Sequence, residues 1–161
     1  MNPRKILKEK EIMLLSHIRC DARVSLTKLS KLTKMPISTI FDKIKEYETK
    51  KIIKRNIAIL DFNMLGYDIR NQLLISVVKE QKQELQSFLI KHPRVNTIHR
   101  VNNEYDFIIE TIFKNTNDMD DFMQKLDKFK ITDKKEFLIM EDIKKEEFLT
   151  NQNSYFEQLT N

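Results

Sequence analysis

A change of hydrophobic period across the chain's single glycine constrains the fold more than any other feature of the sequence. Before Gly66 the apolar residues recur at three- and four-residue steps, whereas after it short apolar runs and two-residue alternation come in between helical stretches. The segment Leu60-Asp61-Phe62-Asn63-Met64-Leu65-Gly66-Tyr67-Asp68 is rich in turn-forming residues, which places a linker there. A length of 161 residues allows one ordinary domain or two small ones, and the change of period selects two.

The same glycine count excludes a class of function. Phosphate cradles of the Walker and Rossmann types need several glycines so that backbone N–H groups can approach the phosphate closely. One glycine cannot supply them, so an enzyme driven by a nucleotide held in such a cradle is ruled out. The 40% hydrophobic and 33% charged content suits a globular chain with a core. No apolar run approaches the roughly 20 residues of a membrane-spanning helix, and Met1-Asn2-Pro3-Arg4-Lys5 leads into a charged amphipathic segment rather than a signal peptide. A cytoplasmic location, with no membrane partner, is expected. Cys20 has no cysteine partner and is read as a buried small hydrophobe. His17, His92 and Cys20 give no metal-ligand spacing, so neither metal nor cofactor is expected.

Charge is segregated. Residues 1–60 hold 15 Lys and Arg against 6 Asp and Glu, a net of +9, and residues 61–161 hold 14 against 18, a net of −4. A basic half beside an acidic half suggests one module that meets a polyanion and another with a different task.

In the basic half, Ile6, Leu7, Met13, Leu14 and Ile18 predict a helix over 5–19. Ser25 is positioned to cap a second helix that ends near Lys34, and Pro36 opens a third over 37–49. The third carries Ser38, Thr39, Phe41, Asp42, Lys43 and Lys45 away from its apolar stripe, a set suited to base edges and phosphates in a major groove. Phe41 has a second, equal reading as core. Lys50 to Leu60 reads as a two-stranded basic hairpin, which completes a winged helix-turn-helix. A plain three-helix bundle with a solvated basic face is the alternative, and the clustering of cations on a helix, turn, helix frame favours DNA.

After the linker, strands are predicted over 72–78, 95–101, 105–112 and from Phe137 to Met140, with helices over 80–92 and from Thr116, whose start Thr116-Asn117-Asp118 is read as the cap. Asn102-Asn103-Glu104 turns between the second and third strands. The order βαββαβ is a ferredoxin-like α+β sandwich with one sheet face uncovered. The apolar residues of that face predict a homodimer. The acidic tail, with Phe148, Leu149, Tyr155 and Phe156, is either a helix on the partner subunit or a loose end, the helix being favoured.

From Leu7 to Tyr67 the chain resembles the Lrp/AsnC family of prokaryotic transcription regulators, also called feast/famine regulators. The resemblance rests on Ile12-Met13-Leu14-Leu15, Ala22-Arg23-Val24-Ser25-Leu26-Thr27-Lys28-Leu29, Ser38-Thr39-Ile40 through Lys43-Ile44, Ile52-Ile53-Lys54, Ile57-Ala58-Ile59-Leu60-Asp61 and Leu65-Gly66-Tyr67. A looser match covers Val95 to Val101 and Glu104-Tyr105-Asp106-Phe107. It implies a winged helix-turn-helix over 1–60, a linker over 61–70, a ferredoxin-like (RAM-type) dimerisation and effector domain over 71–148, and a tail over 149–161. It also implies a nucleoid-associated regulator, homodimeric or octameric, modulated by an amino acid or other small effector. DNA contacts are expected from Ser25, Thr27, Lys28, Ile37, Ser38, Thr39, Phe41, Asp42, Lys43, Lys45, Lys54 and Arg55, and effector contacts from Arg100, Asn102, Asn103, Glu104, Tyr105 and Asp106.

Three positions depart from the family pattern. Asn103 and Lys51 stand where the family has glycine, and Lys43 stands at the family's recognition-helix arginine, where it can neutralise a phosphate but not make a planar two-pronged contact to guanine. Siroheme decarboxylases share the two-domain architecture, and Ile98-His99-Arg100 lies near the corresponding strand. Neighbouring residues of a strand point to opposite faces, so His99 and Arg100 do not converge and a non-enzyme is expected, with that enzyme or an effector-independent architectural protein as alternatives.

Overall fold

The computed structural model describes residues 7–150. They divide into two compact units, 7–59 with 144–150 and 60–143.

Among the described residues the first unit holds three α-helices: α1 (Glu9–Cys20), α2 (Leu26–Thr33) and α3 (Ile37–Thr49). The apolar stripes meet in a core of Leu14, Leu29, Met35, Ile40 and Tyr47. Each helix starts where the local chemistry supplies a stop for the preceding chain. The Lys8 N–H donates to Glu11 at 2.9 Å, the Ser25 hydroxyl accepts from the Lys28 N–H at 3.2 Å, and Pro36 precedes α3. Between α2 and α3 the left-handed Lys34 (φ 53°) reverses the chain, and the Ser30 hydroxyl donates to the Met35 carbonyl at 2.6 Å. Cys20 is exposed in the last turn of α1, not buried. Its thiol donates to the Thr150 carbonyl at 3.4 Å instead of entering the core.

The expected hairpin over residues 50–60 is not formed: this segment holds no strand. Lys51 turns left-handed (φ 59°), so the N–H groups of Ile52 and Ile53 both donate to the Tyr47 carbonyl, at 2.8 and 3.1 Å. The chain leaves α3 by a C-terminal turn of this kind and continues exposed from Lys54 to Leu60. A two-stranded ribbon made of this much like charge has no core to dock on.

The second unit is a four-stranded antiparallel sheet of β1 (Ile69–Val77), β2 (Val95–Arg100), β3 (Phe107–Phe113) and β4 (Ile131–Leu138), in the order β2-β3-β1-β4. Helices α4 (Lys82–Lys91) and α5 (Thr116–Leu126) cover one face, burying Leu73, Ile75 and Ile109 against Leu85, Leu89 and Phe122. Asn115, not the following Thr116-Asn117-Asp118, caps α5 by accepting from the Asp118 N–H at 3.0 Å. β4 begins at Ile131, well before Phe137. It is an edge strand exposed along most of its length, and it carries charge where a buried strand would alternate.

The other sheet face is mixed rather than apolar. Register places Arg70, Gln72, Leu74 and Ser76 beside Ile112, Glu110 and Ile108 on one side and Phe137, Lys135 and Asp133 on the other. Arg70 makes a two-pronged contact with Glu110 (3.0 and 2.8 Å) and pairs with Asp142 at 2.8 Å. Glu110 also accepts from Asn96 (2.7 Å) and Thr97 (3.1 Å). Burial raises the Glu110 pKa, but these donors hold it below the usual carboxylate range. No helix occurs between 141 and 150, where Arg19 instead holds the chain through Glu146 (2.7 Å) and the Phe148 carbonyl (2.5 Å). The rest of the expected tail helix, with Tyr155 and Phe156, lies outside the described residues.

Candidate nucleic-acid interface and effector turn

Helical spacing divides α3 into faces. At roughly 100° per residue, Phe41, Lys45 and Ser38 fall within about 60° of one another, opposite the stripe of Ile40, Ile44 and Tyr47 that meets the core. Ile37, Ser38, Thr39, Phe41, Asp42 and Lys45 are all exposed. Phe41 is not core: it is 45% exposed, and the Lys45 ammonium lies 4.3 Å from its ring centroid. Thr27 and Lys28 are exposed in the first turn of α2, the Ser25 hydroxyl is engaged as its cap, and Lys54 and Arg55 are exposed beyond α3.

Lys43 is placed differently. It lies roughly 160° around α3 from Phe41. Its ammonium pairs with Glu11 of α1 at 2.7 Å and with Glu46 at 3.2 Å, leaving the side chain 29% exposed. The Tyr47 hydroxyl donates to Glu11 at 3.0 Å, and Glu11 is only 6% exposed. Burial pushes the Glu11 carboxyl up, but the Lys43, Lys8 and Tyr47 donors outweigh it and bring the pKa down to about 2. The same contacts push Lys43 upward, and burial followed by Glu11 raises Tyr47. Lys43 is therefore a strut between α1 and α3, a role the sequence reading missed because Glu11 lies in another helix. Its signal was an acid within the apolar stripe of α1.

In the second unit, Asn102, Asn103, Glu104 and Tyr105 come together around an open concavity of about 560 Å³, with Val101 and Ile108 completing its wall. Asn103 adopts the left-handed conformation (φ 78°) that glycine would take without strain, so the turn keeps its shape and gains a side chain. The Ser76 hydroxyl donates to the Glu104 carbonyl, and the Tyr105 hydroxyl to Asp133 at 2.8 Å, which fixes the turn to β1 and β4. Arg100 and Asp106 do not line the concavity. Asp106 accepts from the Val77 N–H at 3.0 Å and pairs with Lys82 at 2.5 Å. Burial raises its pKa, but those two contacts bring it below the ordinary value. His99 and Arg100 pair with successive residues of β3, Ile108 and Phe107, and so point to opposite faces. Among the described residues no group of three or more His, Cys, Asp or Glu could hold a metal, and no helix is long and apolar enough to cross a membrane.

Residues 73–148 match the model of the Lrp/AsnC ligand binding domain. The second unit carries an Lrp/AsnC ligand binding domain. The HTH-type transcriptional regulator FL11 of Pyrococcus furiosus is 28% identical over 120 residues, which cover 74% of this chain and 80% of that protein. Among solved structures, a transcriptional regulator of Neisseria meningitidis in complex with L-Met shares the fold at a TM-score of 0.80 and 18% identity, covering 87% of this chain and 94% of that one. LrpC of Bacillus subtilis does so at a TM-score of 0.79 and 16% identity, covering 87% and 99%. The resemblance sets Asn103 and Lys51 at positions where glycine is expected. Both residues are left-handed here.

Proposed function

We propose that this protein is a sequence-specific DNA-binding transcription regulator that acts as a homodimer or a larger assembly. The observation that carries the proposal is the outer face of α3, where Ser38, Phe41 and Lys45 stand exposed at the end of a helix, turn, helix in a segment of net charge +9. The naming of relatives such as FL11 as HTH-type transcriptional regulators supports it. Residues 1–60 are the DNA-binding domain, 61–70 the linker, 71–148 the dimerisation and effector domain, and 149–161 a tail, in a cytoplasmic, nucleoid-associated protein. Two recognition helices of a dimer enter successive major grooves of a partly palindromic site, bend an A·T-rich centre, and so block or recruit polymerase. Second copies have surface to cover: Ile57, Ile59 and Leu60 are exposed in an extended segment, and Phe137 and Leu138 are exposed on β4. The salt dependence of duplex affinity tests the DNA-binding role, because phosphate contacts release counterions.

The turn around Asn102, Asn103, Glu104 and Tyr105 is proposed to hold a small effector, with Arg100 and Asp106 setting its geometry from outside the concavity. An amino acid is the favoured class, supported by the L-Met complex of the Neisseria relative. A thermal-shift screen of the free amino acids is expected to give at least one ligand that raises the melting temperature of the second unit. A ligand at about 100 times its dissociation constant contributes about 2.7 kcal/mol. No shift with any of them, and no change in assembly size, would remove the effector.

A further inference from the structure

Base recognition in a major groove normally draws on arginine, lysine or amide side chains, and α3 presents few of them. It contains no Arg, Asn or Gln. Of its two lysines, Lys43 is engaged with Glu11 and Glu46, and Lys45 lies over the Phe41 ring. What the first turns of the helix present instead is an apolar pair beside Ser38, Thr39 and Asp42. Ile37 and Phe41, four residues apart, are each 45% exposed and follow one another along the same side. Two large apolar side chains rarely stand in water at the entry of a helix whose surroundings are strongly cationic without a surface that covers them.

The cover is specified by its neighbours. Lys45 and the cations of α2 and its C-cap (Lys28, Lys31 and Lys34) belong to a polyanion-binding surface, whereas Asp42, on the outer face of α3, would be repelled by phosphate. An acid is tolerated on the groove floor, where it can accept from the amino group of cytosine. An apolar pair, an acid and short hydroxyls inside a cationic surround match a groove floor bordered by phosphates. In that groove the apolar group offered by a base is the 5-methyl of thymine.

We propose that Ile37 and Phe41 read thymine methyl groups, so that this regulator selects sites by apolar contacts to thymine rather than by bidentate hydrogen bonds to guanine. This rests on the DNA-binding function proposed above and names the sequence class it recognises. Lys45 holds the Phe41 ring by its charge and directs it past the phosphates, and Ser38 contributes a neighbouring hydroxyl contact.

The test uses the full chain and a duplex selected by it from a random pool. Each thymine at a protected position is replaced in turn by deoxyuracil, which leaves every hydrogen-bonding group in place and removes one methyl. Burying one methyl corresponds to about a four-fold change in affinity, so the contacted thymines are expected to lose about four-fold each. At the thymine that Phe41 contacts, Phe41→Ser is expected to bind the thymine and uracil duplexes equally, and Phe41→Leu to restore part of the discrimination. Phe41 is exposed, so these variants keep the fold, which circular dichroism checks. Ile37→Ser is a second variant that should abolish discrimination at a different thymine. Equal affinity of the wild-type protein for thymine and uracil duplexes at every position overturns the methyl-reading role while leaving DNA binding intact. Discrimination that survives unchanged at every thymine in both Phe41→Ser and Ile37→Ser overturns it too. Failure of the wild-type chain to bind any duplex at low salt overturns the DNA-binding function itself.

Discussion

Replacing Lys43 with Met is expected to destabilise the first unit by about 3 kcal/mol at neutral pH. The change keeps most of the side-chain volume and removes the cation that faces Glu11 at 2.7 Å. Removing one partner of a buried pair leaves the other charge uncompensated, which costs more than the pair was worth. Glu11 would keep the Tyr47 hydroxyl and the Lys8 N–H but lose the ammonium that faces it at 2.7 Å. Linkage gives the same scale, because a carboxyl held at about 2 against an ordinary 4.5 corresponds to roughly 3 kcal/mol. The sign follows from the direction of that shift. A depressed folded-state pKa means that the stabilisation is present above pH 4.5 and is lost as pH falls toward 2. Urea unfolding of the wild type should therefore show stability declining across that window, and Lys43→Met should flatten the decline. The double variant Glu11→Gln, Lys43→Met should recover part of the loss. If Lys43→Met unfolds at the wild-type urea concentration at pH 7, Lys43 is a surface cation and not a strut.

Arg70→Met should cost the second unit a similar amount, about 3 kcal/mol. Its guanidinium makes a two-pronged contact to Glu110 and reaches Asp142, and both Arg70 and Glu110 are largely out of water. Methionine supplies the volume and none of the five donors. Arg70→Lys should fall between the two, because one ammonium cannot replace a planar fork. Since Glu110 is also held below its ordinary pKa, the wild-type contribution is present above pH 4.5 and weakens on acidification, so the gap between wild type and Arg70→Met should narrow as pH falls. Denaturation monitored by circular dichroism reads the effect. A variant as stable as the wild type would mean that the pair roughly cancels its own desolvation.

Much of this architecture was legible in the sequence because local signals agreed. Ser25 and Pro36 marked helix starts, the 3.6-residue stripes of α2 and α3 located the first core, and apolar alternation in β1 and β3 located the sheet. What stayed hidden depended on partners distant in sequence. Glu11 and Lys43 become a pair only once α1 packs on α3. β4 is held by β1 along one edge, so its charged residues never needed the alternation that announces a strand. The basic segment after α3 has strand-forming residues but no neighbour to ladder with, and the C-terminal turn at Lys51 took its first amides instead. At the candidate site, the exposed residues of α3 were legible from helical spacing. The separate task of Lys43, and the withdrawal of Arg100 and Asp106 from the concavity, were not.

The basic helical unit is proposed to bind duplex DNA through phosphates around α3, and the salt dependence of affinity measures this most directly. Fluorescence anisotropy of the full chain on a labelled duplex is expected to show log affinity falling linearly with log salt, with a slope of about −0.9 for each phosphate contacted. Lys28→Ala and Lys45→Ala should each make the slope shallower by about 0.9 per lost contact. Lys43→Met, its charge already engaged by two carboxylates, should leave the slope unchanged. Affinity independent of salt, or no binding of the wild-type chain to any duplex at low salt, would contradict the claim.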